Sequence, residues 1–271
     1  MRLNDPRPIG VFDSGVGGLT VLKALLAHLP EESAVYLGDT ARLPYGTKSA
    51  EVVTRYALKN AEFLKRCDIK LLVVACNTAS AVALPRLQAT LGLPVLGVIQ
   101  PGASAAAGQT RSGRVGVIGT PGTVASGAYQ AALERARPGT EVLARACPLF
   151  VPLAEEGWVT GDVPRLIARE YLGDLSRAGI DTLVLGCTHY PLLRAAIAEV
   201  MGSSVTLVDS AEATASATAQ LLRENSARAP EGAATTRRYF VTDSVQRFSE
   251  VGARFLGEPL PSVEHVDISF D

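Results

Sequence analysis

Two short stretches of the sequence carry residues suited to moving a proton. In LLVVACNTAS (Leu71 to Ser80) and LVLGCTHYP (Leu183 to Pro191) an apolar run ends in a cysteine, Cys76 or Cys187. Polar residues follow each: Asn77 and Thr78 after the first, Thr188 and His189 after the second. A cysteine taken alone reads as a small buried hydrophobe. That reading fits Cys67, at the end of an amphipathic stretch, and Cys147, ahead of Pro148. Cys76 and Cys187 differ because a strand-to-helix turn presents unpaired backbone N–H groups and the positive end of a helix. Such surroundings lower a thiol pKa and raise its reactivity. None of the four cysteines forms a C-x-x-C pair, so a zinc or redox site is poorly supported.

Other polar residues fall near turns. IGVFDSGVGGLTVLKALL places Asp13 and Ser14 between an apolar strand and a helix, with Gly15, Gly17 and Gly18 in the turn. Asp39 follows the second strand, at the position of a ribose-binding acid in a dinucleotide fingerprint. The spacing is G-x-G-G, without the third glycine, and a carboxylate beside the phosphate path would repel a pyrophosphate. A helix start of this kind can equally hold a substrate carboxylate. Pro44-Tyr45-Gly46 reads as a turn, either an ordinary surface turn or an anion-holding one. CPLFVPLAEE (Cys147 to Glu156) sets Glu155 and Glu156 after an apolar stretch, and Trp158 reads as packing.

These residues need a frame, and the chain supplies one by alternating strands and helices. Strands are expected at Pro8–Phe12, Ala34–Leu37, Leu71–Ala75, Val95–Ile99, Val115–Ile118, Val142–Ala146, Leu183–Leu185, Val205–Val208 and Arg238–Val241. Helices are expected over Leu19–Leu29, over 49–66 with Ser49 as N-cap, ending near Arg137, over Leu166–Ala178, and near Val245–Phe255. Continuous apolar strands between helices imply an α/β protein with mostly parallel sheets covered on both faces. The two cysteine stretches resemble one another, and each cysteine would sit at the carboxyl end of a strand, where open α/β sheets bind ligands. Two such halves face to face would set two thiols across one crevice.

The bulk numbers limit the alternatives. In 271 residues, 47% are hydrophobic and 20% charged, with a net charge of -1. That permits a large core and gives no sign of a nucleic-acid or anionic-membrane partner. The apolar runs are too short to span a bilayer, and the first residues lack a secretory h-region, so a cytoplasmic location is expected.

DSGVGGLTV (Asp13 to Val21), GDTARLPYG (Gly38 to Gly46), CNTAS (Cys76 to Ser80), CPLFVPLAEEG (Cys147 to Gly157) and GCTHYPLL (Gly186 to Leu193) together, in this order, resemble the glutamate racemase family. The resemblance implies that Cys76 takes the α-proton from D-glutamate and Cys187 from L-glutamate. Asp13, Ser14, Tyr45, Gly46, Asn77, Thr78, Thr120, Thr188 and His189 match its substrate-binding positions. Asp13, Asp39, Glu155 and His189 resemble residues that assist the thiols. Two similar three-layer α/β domains are implied, with the site in the cleft between them: 1–98 plus 208–271, and 99–207. The resemblance further implies no cofactor or metal, a homodimer, and supply of D-glutamate for peptidoglycan. Aspartate and hydantoin racemases use similar paired cysteines, and the PYG and GCTHYPLL contexts favour glutamate. A nicotinamide oxidoreductase and an inactive sensor or partner-inhibiting protein are the readings from other classes.

Overall fold

The computed structural model describes residues 4–269. Ten strands are present among them: β1 (Ile9–Asp13), β2 (Ala34–Gly38), β3 (Leu71–Val74), β4 (Val95–Gly97), β5 (Arg114–Gly119), β6 (Glu141–Ala146), β7 (Thr182–Gly186), β8 (Thr206–Asp209), β9 (Arg237–Val241) and β10 (Val263–His265). They form a six-stranded sheet of order β10-β9-β2-β1-β3-β4 and a four-stranded sheet of order β6-β5-β7-β8. Every pairing is parallel. Parallel strands need crossovers, and helices cover both faces of each sheet.

Alternation along the strands sorts residues between the faces. In the larger sheet Ile9, Val11, Leu71 and Val73 pack on one side with the helices Leu19–His28, Ser210–Glu224 and Val245–Leu256. Phe12, Leu72 and Val74 pack on the other with Ala50–Arg66 and Leu84–Thr90. In the smaller sheet Ile118, Leu183 and Leu185 meet Asp162–Arg177 and Arg194–Met201, while Val115, Val117 and Val184 meet Ile99–Gln109 and Ala128–Ala136. Each unit thus has three layers. The chain completes β1 to β4, builds the second sheet, and then returns to the first for β9 and β10. No helix among the described residues is long and apolar enough to cross a membrane.

The expected elements recur, and the strand Val263–His265 and the helix Phe150–Glu155 are added to them; three further differences have physical reasons. Ile99 does not extend β4; it opens the helix Ile99–Gln109. Pro101 sits in that helix's first turn, where a missing N–H leaves no hydrogen bond unmade. The single helix expected before Arg137 is two, Pro121–Ala125 and Ala128–Ala136, with Gly127 between them at φ 68. Ser210–Glu224 had no sequence counterpart. Its buried side is Ala211, Thr214, Ala215, Thr218, Ala219 and Leu222, with too little apolar contrast to register as a stripe. This helix packs on Leu19–His28 in one unit and Ile99–Gln109 in the other.

The return of the chain is fastened by a buried ion pair. Lys70 Nζ lies 2.6 Å from Glu32 Oε2 and donates to the carbonyls of Asp5 and Ala227 at 2.7 and 2.9 Å. Glu32 Oε1 accepts from the Ala229 N–H at 2.9 Å. Removing one partner of such a pair strands a charge in the interior, which costs about 3–5 kcal/mol. The interaction therefore holds the segment entering β9 against β1 and β3.

Candidate active site

Cys76 and Cys187 stand just beyond the carboxyl ends of β3 and β7, one from each sheet. They line a single cleft of about 390 Å³ of non-atom space, part of it open to solvent. The first unit contributes Ser14, Tyr45, Gly46, Cys76, Asn77 and Thr78; the second contributes Thr120, Cys187, Thr188 and His189. All were singled out from the sequence. Pro44, read from the sequence as part of a turn, completes the walls with Leu43 and Val151, which as apolar residues carried no signal.

Three expected site residues stand behind this lining. Asp13 is fully buried, with Oδ2 accepting from Gly15 N–H at 3.0 Å and Oδ1 from the Thr188 hydroxyl at 3.5 Å. Glu155 Oε1 lies 3.0 Å from His189 Nε2. Asp39 reaches the cleft only through Tyr45, whose hydroxyl it accepts, and it also binds Arg42, Asn60 and Thr242. Its side chain holds the Pro44–Gly46 turn in place.

The seam between the units is polar. Thr78 Oγ1 lies 2.9 Å from Thr120 Oγ1 and 3.2 Å from Thr123 Oγ1. Thr20 donates to the Thr188 carbonyl at 3.2 Å. Gly17 explains the glycine turn without any phosphate: a Cβ there would lie 2.3 Å from Thr188 Oγ1 and 2.4 Å from His189 Nδ1. Only glycine lets the two units approach this closely.

The two thiols stand in different electrostatic surroundings. Burial, aided by the Asp13 charge, pushes Cys76 up to about 12, against the Ala79 N–H and the Ser14 hydroxyl. The sequence pointed downward for both thiols; at Cys76 desolvation outweighs the turn's donors. Cys187 Sγ lies 3.8 Å from His189 Nδ1. Burial works against a protonated His189, but Cys187 and Glu155 prevail and raise it to about 10. Glu155 shows the converse: burial opposes its charge, while His189 and Arg247 bring its pKa below the ordinary carboxylate value. Asp13 is raised by burial, which outweighs His189 and the Gly15 and Gly18 N–H groups.

Several residues in contact with Glu155 and His189 lie where no motif pointed. Arg254 Nη1 donates to the Glu155 carbonyl at 2.6 Å, and the Phe255 ring meets the His189 ring edge-on at 5.1 Å. Both belong to Val245–Leu256, a helix visible in the sequence without a role. Cys147 is fully buried, and Cys67 is half-buried at the end of a helix, as packing cysteines should be. Trp158, expected to pack, is 59% exposed.

The sequence model of the Asp/Glu/Hydantoin racemase family matches residues 10–218, and the chain belongs to that family. A glutamate racemase of Geobacter metallireducens is 59% identical over 262 residues, 97% of each chain. Among solved structures, glutamate racemase from Francisella tularensis in complex with D-glutamate gives a TM-score of 0.92 at 39% identity, covering 98% of this chain and 99% of that one. Glutamate racemase from Escherichia coli, in complex with L-glutamate and activator UDP-MurNAc-ala, gives 0.80 at 32% identity, covering 97% and 100%.

The charge state of Cys76 can be measured directly. Alkylation of Cys76 by iodoacetamide, followed by peptide mass spectrometry, is expected to accelerate about tenfold per pH unit from pH 7 to 10, because only the thiolate reacts. A plateau below pH 9 would show that burial does not hold the proton on this sulfur.

Proposed function

We propose that this chain interconverts L- and D-glutamate without a cofactor, using Cys76 and Cys187 as opposed bases. The observation that carries this reading is the pair of thiols, one from each sheet, lining one cleft with a set of hydroxyl and amide donors. The named relatives, of similar length throughout, support the substrate. In the L-to-D direction Cys187 takes the α-proton as a thiolate, and the Cys76 thiol delivers a proton to the opposite face. The enzyme is left with its two sulfurs in reversed protonation states, which is the form that acts on D-glutamate. Cys76, held neutral by burial, is in the state that donates in this direction.

The α-proton is weakly acidic, and the developing charge must be met by groups already in place. Asn77, Thr78, Thr120 and Thr188, with the backbone near Gly46, are the groups we assign to the two carboxylates. Asp13, Ser14 and Tyr45 shape the same wall. His189, bridged to Glu155, exchanges protons with Cys187, and Asp39 acts by anchoring Tyr45. Enantiomers have equal free energy in water, so the equilibrium constant is one and kcat/KM is equal in the two directions. Cytoplasmic D-glutamate for peptidoglycan is the product use this reading implies. The inserted unit is drawn from 99 to Asp209, the last residue of β8, two residues beyond the sequence-based boundary.

A homodimer is part of the proposal. The exposed large apolar side chains Leu149, Trp158 and Val163 line one apolar groove on the second unit, with Pro152, Leu153 and Ile167. Asp162, Arg165 and Arg169 lie on the helix that carries Val163 and bring both signs of charge, which a second copy turned about a two-fold axis can match. Sedimentation should give twice the 28.4 kDa chain mass, and Trp158→Glu should shift it toward the monomer. A wild-type monomer at micromolar concentration would remove the dimer.

Followed by optical rotation with L-glutamate, the wild-type chain is expected to bring the signal to zero with no added metal or coenzyme. Cys76→Ser and Cys187→Ser should each lose about a thousandfold or more, since a hydroxyl holds its proton far more tightly than a thiol. Full activity in either variant would contradict the two-base assignment.

A further inference from the structure

One buried side chain outside every motif touches both cysteine turns. Tyr129, on the helix Ala128–Ala136 of the second unit, is 1% exposed. Its hydroxyl donates to Asn77 Oδ1 at 2.7 Å, across to the first unit and to the residue that follows Cys76. Its ring lies beside Gly186, the residue before Cys187: a Cβ on Gly186 would stand 3.0 Å from Tyr129 Cε2. The phenol pKa is raised by burial and the nearby Asp209 charge, so the hydroxyl keeps its proton and donates throughout the neutral range.

The bond to Tyr129 decides which way the Asn77 amide faces. With Oδ1 committed to the phenol, Nδ2 is buried and has no partner in the protein. Buried donors are nearly always satisfied, so one left open beside a ligand cleft marks a place where the ligand supplies the acceptor. Asn77 lines the cleft, and a carboxylate oxygen is the acceptor that a substrate with two carboxylates offers.

We infer that Tyr129 is a positioning residue for the racemisation: its hydroxyl fixes the Asn77 amide as a donor to a substrate carboxylate, while its ring braces the turn that carries Cys187. This rests on the functional reading above. Without the phenol, the amide can rotate and present Oδ1 to the carboxylate, which repels it. The same side chain ties an element of one unit to the residue beside the other unit's thiol, so it also holds the two sulfurs in register.

A double-mutant cycle on kcat/KM tests this, with Tyr129→Phe, Asn77→Ala and the double variant compared beside wild type. Phenylalanine keeps the ring against Gly186 and removes only the hydroxyl. Tyr129→Phe is expected to lower kcat/KM about tenfold, the scale of one hydrogen bond to a buried polar group. In the Asn77→Ala background the same change should cost less than twofold, because the hydroxyl has nothing left to orient. Equal losses in both backgrounds, or unchanged activity in Tyr129→Phe, would overturn the inference and leave the racemase reading standing. A wild-type chain inert toward glutamate would sink the racemase reading and this inference with it. Asn77→Asp is a second probe: it keeps an acceptor for Tyr129 but replaces the donor, and should lose at least tenfold in kcat/KM with its thermal midpoint preserved. Wild-type kcat/KM in Asn77→Asp would also overturn the inference.

Discussion

A proton taken from one face of a carbon and returned to the other requires either one base that moves or two groups fixed on opposite sides of that carbon. Neither group can share a strand with the other. Here the two sulfurs come from separate sheets, at the carboxyl ends of β3 and β7. Their separation is therefore set by the seam between the units, and by no single element. The seam is made of short contacts: Gly17 against Thr188 and His189, Thr78 against Thr120 and Thr123, Tyr129 against Asn77. Ser210–Glu224 packs on helices of both units and keeps them from sliding. Small residues at these points matter because a displacement of the order of an ångström in a reacting group costs about 10²-fold in rate.

The two chemically identical thiols meet different electrostatic surroundings. Cys76 is surrounded by buried protein and the Asp13 carboxyl group, which favour the neutral thiol. Cys187 has a histidine held protonated by the sulfur itself and by Glu155. In turn Glu155 is held by the C-terminal helix, through Arg254 at its carbonyl and Arg247 near its carboxylate. The carboxylate, imidazole and sulfur form a chain along which a proton can be stored beside one thiol and not the other.

Much of this was legible in the sequence, for definite reasons. The buried strands are runs of branched residues bounded by polar turns, and the cysteines, threonines and His189 follow them directly, so strand ends and site residues were read together. The glycine turn was visible, though its purpose was not: the contacts of Gly17 are made 171 and 172 residues away. Ser210–Glu224 escaped because its buried face is alanine and threonine. Tyr129, Arg254 and Phe255 act on the site from elements whose sequences look like ordinary amphipathic helices. The direction of the Cys76 shift could not be read either, since burial is a property of the assembled cleft and outweighs the local turn that the sequence displays.

The central claim is that two opposed thiols, and not one mobile base, carry the proton. Racemisation of L-glutamate in D₂O, stopped within the first few per cent of conversion and analysed by chiral separation and mass spectrometry, tests it most directly. The account predicts that the D-glutamate formed carries one deuterium at Cα, while the remaining L-glutamate is still protiated, because the sulfur that delivers is not the sulfur that removed. D-glutamate that retains the original protium, or L-glutamate that gains deuterium as fast as product appears, would contradict it.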